Sequence, residues 1–181
     1  GKISNRLHKE WKPKTETGLL SYYNEFQNID MSTGKWLVLA RTRHMLNDLE
    51  NVLYTNGMYY RNKFKKAYEK DLYEAVMDWE LFRKGKQLNG EQVKRIASYM
   101  KPDQFSRKRI KEFISDNLYT IGELKLKYGL NTDAVWFESF TAAPEKQVHY
   151  IRKMRKNGEE LNQEPRILLS TIHGVKGGEA D

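Results

Sequence analysis

The 181-residue chain contains no cysteine. Disulfides, thiolate nucleophiles and cysteine-based zinc sites are therefore excluded. Its four histidines are scattered, and no two have the i, i+4 spacing that puts a pair of imidazoles on one helical face. No metal site is expected. No apolar run approaches the roughly 18 residues that a membrane span needs. The opening stretch GKISNRLHKEWK is polar and unlike a secretory signal. A cytoplasmic protein without a membrane partner is the expectation. Internal repeats and low-complexity tracts are missing as well. Acidic residues are in deficit: Lys and Arg number 32 against 24 for Asp and Glu, a formal charge of +8. Such a surplus favours a polyanionic partner such as nucleic acid, but an ordinary basic surface carries the same number.

What is present suits a globular fold. Hydrophobic residues make up 39% and charged residues 31%, which is outside the range of disordered chains. The length allows one domain and a small second one. Gly1 in place of an initiating Met, and GGEAD directly after a strand-like run, suggest that both ends are internal boundaries of a longer protein.

Residues 1–30 read as a basic connector followed by a short amphipathic helix over 19–30. Trp36, Leu37, Val38, Leu39 and Ala40 form a continuous apolar run after Gly34. Lack of alternation predicts a strand buried on both faces, as in a parallel sheet. Met45, Leu49, Val52 and Leu53 then fall on one helical face, and Asn56 with Gly57 supplies a stop. From residue 61 the period changes. Phe64, Tyr68, Leu72, Ala75, Val76, Trp79 and Phe82 give a long helical stripe. Asn89 caps a second helix, Ser106 opens a third, and Thr120 with Glu123 resembles a capping box for a fourth. Pro144 suits the first turn of a last helix that ends at Asn157 and Gly158. After Pro165 the run Ile167, Leu168, Leu169 returns to strand character. The expected class is α/β: two buried strands flank roughly a hundred helical residues, a helical subdomain inserted at 61–165.

The segment ILLSTIHGVKGGE, residues 167–179, concentrates the chemistry. A buried strand delivers a hydroxyl, an imidazole, an ammonium and a carboxylate into a Gly-containing turn. Backbone amides there can approach phosphate, Lys176 offers a point charge and Thr171 a hydroxyl. A polar strand end with an ordinary Gly turn has the same composition, so the residues alone leave both readings open.

The pattern T-I-H-x-x-K-G-x-E after an apolar strand resembles motif V of UvrD/Rep/PcrA-type superfamily 1 DNA helicases. The resemblance implies a RecA-like parallel-sheet domain, the second of two, interrupted by a mostly helical inserted subdomain. It implies that Thr171, His173 and Lys176 face single-stranded DNA, and that Gly177 and Glu179 reach the nucleotide. Trp36 to Thr42, followed by a helix and by Gly57, Tyr59, Tyr60 and Arg61, resembles the strand that opens the same domain. Arg41 then takes the family's catalytic position at the ATP γ-phosphate, where a guanidinium stabilises developing charge. Three positions depart from the family pattern: Ala40 replaces an adenine-stacking Tyr, Gly178 a Leu, and Ala180 an aromatic. On this resemblance residues 31–60 open the RecA-like domain and 166–181 return to it. ATP with Mg²⁺ is the implied cofactor, with the Mg²⁺ ligands outside this chain. The implied partners are single-stranded DNA, a duplex junction and the first RecA-like domain.

Two basic clusters, Lys101, Arg107, Lys108, Arg109 and Lys111 in one place and Arg152, Lys153, Arg155 and Lys156 in another, are candidates for duplex phosphates or for plain solvated faces. Two other readings stand beside the helicase fragment. One is a non-enzymatic nucleic-acid-binding module, with residues 120–135 as a helix-turn-helix. The other is a degenerate motor domain acting as a scaffold. The chain has no G-x-x-x-x-G-K-[ST] and no Asp-Glu pair for Mg²⁺: at Gly34 and Lys35 the first Gly is Ile29 and the Ser or Thr is Trp36. The 181-residue chain should therefore release no phosphate from ATP and Mg²⁺ above background, with or without single-stranded DNA, in a coupled phosphate assay.

Overall fold

A computed structural model of the chain describes residues 18–64, 69–161 and 163–175, and the side chain of Arg107 is not among what it describes. The architecture is mixed α/β. In chain order the elements are β1 (Trp36–Ala40), α1 (Leu46–Asn56), β2 (Tyr60–Asn62), α2 (Lys70–Arg83), β3 (Leu88–Asn89), α3 (Gly90–Ser98), β4 (Leu118–Tyr119), α4 (Ile121–Lys127), α5 (Trp136–Ser139), α6 (Glu145–Lys156) and β5 (Ile167–Thr171). Short 3-10 turns span Phe26–Asn28 and Arg107–Glu112.

β5, last in sequence, lies in the middle of a parallel sheet of order β1-β5-β2. Ile167 pairs with Trp36 on one side and with Tyr60 on the other, and Thr171 aligns with Ala40. Alternation then sorts the side chains. Trp36, Val38, Ala40, Ile167, Leu169 and Tyr60 share one face, and Ile167 and Leu169 are fully buried. Leu46, Leu49 and Leu53 of α1 are equally buried. The opposite face carries Leu37 and Leu39, which are 40% and 42% exposed. The expectation that the first strand is buried on both faces is thus corrected. β1 is an edge strand, and no described helix lies over that side of it.

α1 stops where Gly57 turns left-handed, at φ 66°. There α6 comes close. The rings of Tyr54 and Tyr150 stack at 4.2 Å, and the Tyr150 hydroxyl donates to the Met58 carbonyl at 2.8 Å. Asn157 Nδ2 donates to the carbonyl of Asn56, and Lys153 Nζ to that of Thr55. Burial pushes the Tyr150 phenol above its ordinary value, which keeps it a donor.

The helical segment has its own apolar centre. Leu72, Ala75, Val76, Trp79 and Phe82 of α2 recur at helical spacing and are fully buried. Trp79 Nε1 donates to the Ala134 carbonyl at 3.0 Å, so the indole is satisfied inside. Asn89 and Gln92 form the reciprocal capping box of α3, and Thr120 accepts from the Glu123 amide at the start of α4.

Several expectations are revised. Residues 19–30 form no helix beyond the Phe26–Asn28 turn; Leu19, Leu20 and Tyr22 lie open to solvent, and without a buried face a short helix is not stabilised. Tyr60–Asn62 is a strand, where helical character was expected from residue 61 on, because it pairs with β5. Phe64 lies in the turn after it, not on a helical stripe. Ser106 opens a 3-10 turn rather than an α-helix; Phe113 just beyond it is buried among the rings of Phe105, Tyr119 and Tyr128. Pro144 is the N-cap of α6 rather than part of its first turn. β3 and β4, an antiparallel pair two residues long, had no sequence signal.

A Cβ on Gly57 would stand 2.2 Å from Lys153 Cβ, whereas one on Gly129, also left-handed at φ 74°, would meet nothing closer than 3.5 Å. Gly57→Ala should therefore destabilise the fold by roughly 2–5 kcal/mol, the sum of left-handed strain and overpacking. Gly129→Ala should lose only the strain, about 1–2 kcal/mol. Urea unfolding midpoints of the two variants check the difference.

Candidate functional site

All three strands of the parallel sheet run the same way, so their carboxyl ends meet along one edge. Open α/β sheets bind ligands outside that edge. Three loops converge there. Residues 41–44 follow β1, residues 63–64 follow β2, and residues 172–175 follow β5.

Backbone pairing fixes their relative positions. Ile172 N–H donates to the Ala40 carbonyl at 2.9 Å, so the loop that begins at Arg41 leaves the sheet beside the one that begins at Ile172. Lys63 N–H donates to the Leu169 carbonyl at 3.1 Å and holds the third loop beside the second. After β5 the chain folds into a tight turn. The Gly174 amide reaches the carbonyl of Thr171 at 2.8 Å and its hydroxyl oxygen at 3.1 Å, and the Val175 amide reaches the same carbonyl. Thr171 is buried, and its hydroxyl oxygen serves the turn; the hydroxyl proton stays available as a donor.

The loops are also tied through side chains. Lys63 Nζ donates to the Gly174 carbonyl. The Arg43 guanidinium lies 4.0 Å over the Phe64 ring. A Cβ on Gly174 would stand 2.7 Å from Ser170 Oγ and 3.3 Å from the same Phe64 ring. Glycine is therefore required by close approach on two sides. Below this layer, Asn62 Nδ2 donates to the buried Glu50 carboxylate at 2.8 Å while Asn62 Oδ1 accepts from the Phe64 amide at 2.9 Å. Asn62 thus locks the end of β2 to α1.

The electrostatics favour an anion. Arg41, Arg43 and Lys63 bring three cationic side chains to one edge. Arg41 is exposed and makes no ion pair among the described residues. His44 and His173 are exposed imidazoles, His44 within 3.4 Å of the Asn47 amide nitrogen. α1 starts at the same edge without a side-chain cap, and the positive end of its dipole adds to the field. Among the described residues no group of three or more His, Asp or Glu is placed to hold a metal ion. The arrangement can bind and orient phosphate; it offers no carboxylate pair for proton transfer.

The fold thus puts Arg41, Thr171 and His173 at one edge of the sheet, with no described contact between their side chains. Lys176, Gly177 and Glu179 lie outside the described residues. Lys108 is exposed, and Arg109 gives its guanidinium to the Lys127 carbonyl. Neither is near the sheet in sequence or in any described contact. Arg43, Lys63 and Phe64 belong to the site and had no local signal, because β2 spans three residues and its strand character exists only through β5. No family model, no curated protein and no solved structure matches the chain. Among the described residues no helix is long and apolar enough to cross a membrane.

Gly174→Ala should lower stability by about 1–3 kcal/mol through overpacking against Ser170 and Phe64. Lys63→Met, which removes one exposed link, should change it by under about 1 kcal/mol. Equal losses in chemical unfolding would contradict the packing role given to Gly174.

Proposed function

We propose that the chain is a piece of an ATP-dependent DNA helicase motor: part of the second RecA-like domain with a helical segment inserted into it. One observation carries the reading. The parallel register of β1 with β5 puts Arg41 next to the turn that begins at Thr171 and His173, two segments far apart in sequence. Each resembles a helicase element by its residues, and a shared ligand needs them at one edge.

The roles follow from position. Arg41, unpaired and exposed, stabilises charge on the γ-phosphate of ATP during hydrolysis. Thr171 and His173 meet the phosphates of single-stranded DNA, and Arg43 and Lys63 hold the loops in place around them. Lys176 extends the DNA contact, and Gly177 and Glu179 serve the nucleotide. The adenine is stacked by a group other than Ala40. ATP fits the edge by charge alone; the Mg²⁺ ligands and the residues that orient water belong to the partner RecA-like domain. The uncovered face carrying Leu37 and Leu39 also suits a parallel sheet that continues under further helices, since such sheets are covered on both sides.

Two of the alternatives fare differently. The segment 120–135 would need a recognition helix after α4, and the next helix, α5, has four residues with Trp136 and Ser139 buried. Nothing so short enters a major groove with its side chains free. A scaffold without hydrolysis remains the competing outcome of the test below.

In the complete reading frame, Arg41→Ala should reduce DNA-stimulated ATP hydrolysis by about 10³-fold or more, the scale of a lost phosphate-stabilising arginine. Affinity for single-stranded DNA should change less than about threefold. Steady-state ATPase assays and anisotropy titrations read the two quantities. Undiminished turnover would refute the role of Arg41 and leave the scaffold.

A further inference from the structure

Beside the contact that locks α6 to the end of α1 lies an open groove of about 540 Å³. The spacing of its residues explains it. On α1, Asn51, Tyr54 and Thr55 stand at i, i+3 and i+4; on α6, Lys146, His149, Tyr150 and Lys153 stand at i, i+3, i+4 and i+7. Each set is therefore one stripe of its helix, and the two stripes form the walls. The groove is remote from Arg41. Residues 51–55 belong to the second half of α1, whereas the sheet edge lies at its start.

Three kinds of chemistry meet in it. The first is an aromatic face. The Tyr54 and Tyr150 rings are within 14° of parallel, and Tyr150 is 1% exposed, so Tyr54 supplies the open part of the pair. Burial, and less strongly the Glu69 charge, holds the Tyr54 phenol above its ordinary value, and its hydroxyl stays a neutral donor. The second is uncharged hydrogen bonding. The Asn51 amide and the Thr55 hydroxyl are exposed, and neither makes a hydrogen bond among the described residues. The third is positive charge. Lys146 is exposed and has no partner among the described residues. Lys153 gives one proton to the Thr55 carbonyl and keeps two more to donate. The two lysines stand about 10 Å apart along α6. One acid, Glu145, approaches this stripe; it is 89% exposed and faces His149 at 3.5 Å.

We propose that the groove between α1 and α6 binds a mononucleotide, with the base on the Tyr54 ring, the ribose hydroxyls at Asn51 and Thr55, and the phosphate at Lys146 and Lys153. The inference goes beyond the helicase reading and does not rest on it, since that reading places ATP at the sheet edge. Pockets of about 300–1,000 Å³ with aromatic walls and a few placed polar groups are the usual form of small-molecule sites. An ammonium offers phosphate a point charge, and a ring face stacks on any base. Unpaired lysines occur elsewhere too, at Lys101, Lys108 and Lys111; what sets Lys146 apart is the ring and the amide beside it. A second groove, of about 360 Å³ between Trp136 and Arg155, suits a nucleotide less well. There Arg152 already covers the Phe137 ring at 4.1 Å, and Glu80 adds an acid. A duplex keeps its bases stacked inside and would leave Tyr54 unused.

The test titrates the ¹⁵N-labelled 181-residue chain with adenosine 5′-monophosphate, without Mg²⁺, and follows the amide signals by NMR. Saturable shifts should appear at Asn51, Thr55 and residues 146–153. Adenosine and ribose 5-phosphate should each bind at least about fivefold more weakly, because one lacks the phosphate contact and the other the stacked ring. Lys146→Gln should weaken the nucleotide about fivefold and leave adenosine unchanged; Asn51→Ala should weaken both about threefold. Both side chains are exposed and unbonded, and matching melting curves by circular dichroism confirm that the variants fold. Shifts confined to residues 41–44 and 172–174, or no shift at all, overturn the groove, and the first of these leaves the helicase reading standing. Equal affinity for ribose 5-phosphate, or an unchanged affinity in Lys146→Gln, overturns the proposed pose. A 5′-phosphorylated oligodeoxyadenylate of five nucleotides carries the same chemistry at its end. If it shifts the same amides more than about tenfold more tightly, a strand end replaces the free nucleotide as the occupant.

Discussion

The fold depends on the pairing of β5 between β1 and β2. Among the described residues each outer strand finds its main-chain strand partner only in β5, and β2, three residues long, has no reason to be extended without it. The hydrogen bonds are long-range by sequence, so the loop-closure entropy of the whole helical segment is spent before the sheet forms. The same pairing sets the chemistry. A slip of one residue would turn Thr171 to the opposite face and carry His173 away from Arg41. Packing resists the slip, since Ile167 and Leu169 are fully buried in the present register and Leu168 would have to take their place.

The second constraint is the close approach of α6 to α1 at Gly57. It ties the helical segment to the sheet through a stacked tyrosine pair and three side-chain bonds to the end of α1. The bonds to Thr55 and Asn56 satisfy carbonyls that a helix end leaves unpaired, and Lys153 also answers the negative end of the α1 dipole. α6 is thereby fixed with its apolar half inward, which leaves its basic half outward. The charged surface is a by-product of how the helix is seated, not a feature of its sequence alone.

Legibility followed the range of the interaction that makes each element. The capping box at Asn89, the stripe through Trp79 and the runs that became β1 and β5 are written within a dozen residues each, and they were readable. β2 was not, because three residues have no period and Phe64 continued the helical spacing by coincidence. Leu37 and Leu39 read as doubly buried because an unbroken apolar run is the signal of a parallel strand. An edge position depends on what lies beyond it, and that is invisible in the run. At the site, Arg41, Thr171 and His173 were singled out by sequence, and the fold brings them to one edge. Arg43, Lys63 and Phe64 were missed, since each matters only through a partner on another loop. The two basic clusters looked alike, and among the described residues neither meets a carboxylate; whether a cation is neutralised depends on the rest of the fold.

That last point bears on how a charge of +8 acts. A cation with a carboxylate a few ångström away presents a dipole, whose field fades within a side-chain length. An unpaired cation presents a full charge out to the Debye length, about 8 Å at physiological salt. Among the described residues the sheet edge and α6 therefore carry full charges, as do the exposed Lys101, Lys108 and Lys111, whereas α2, α3 and α4 present paired ones. The carboxyl end of α6 is fixed at the end of α1 away from the sheet edge, about 16 Å along its 11 residues. That is two Debye lengths, so the interaction between the sheet edge and that end of α6 is largely screened.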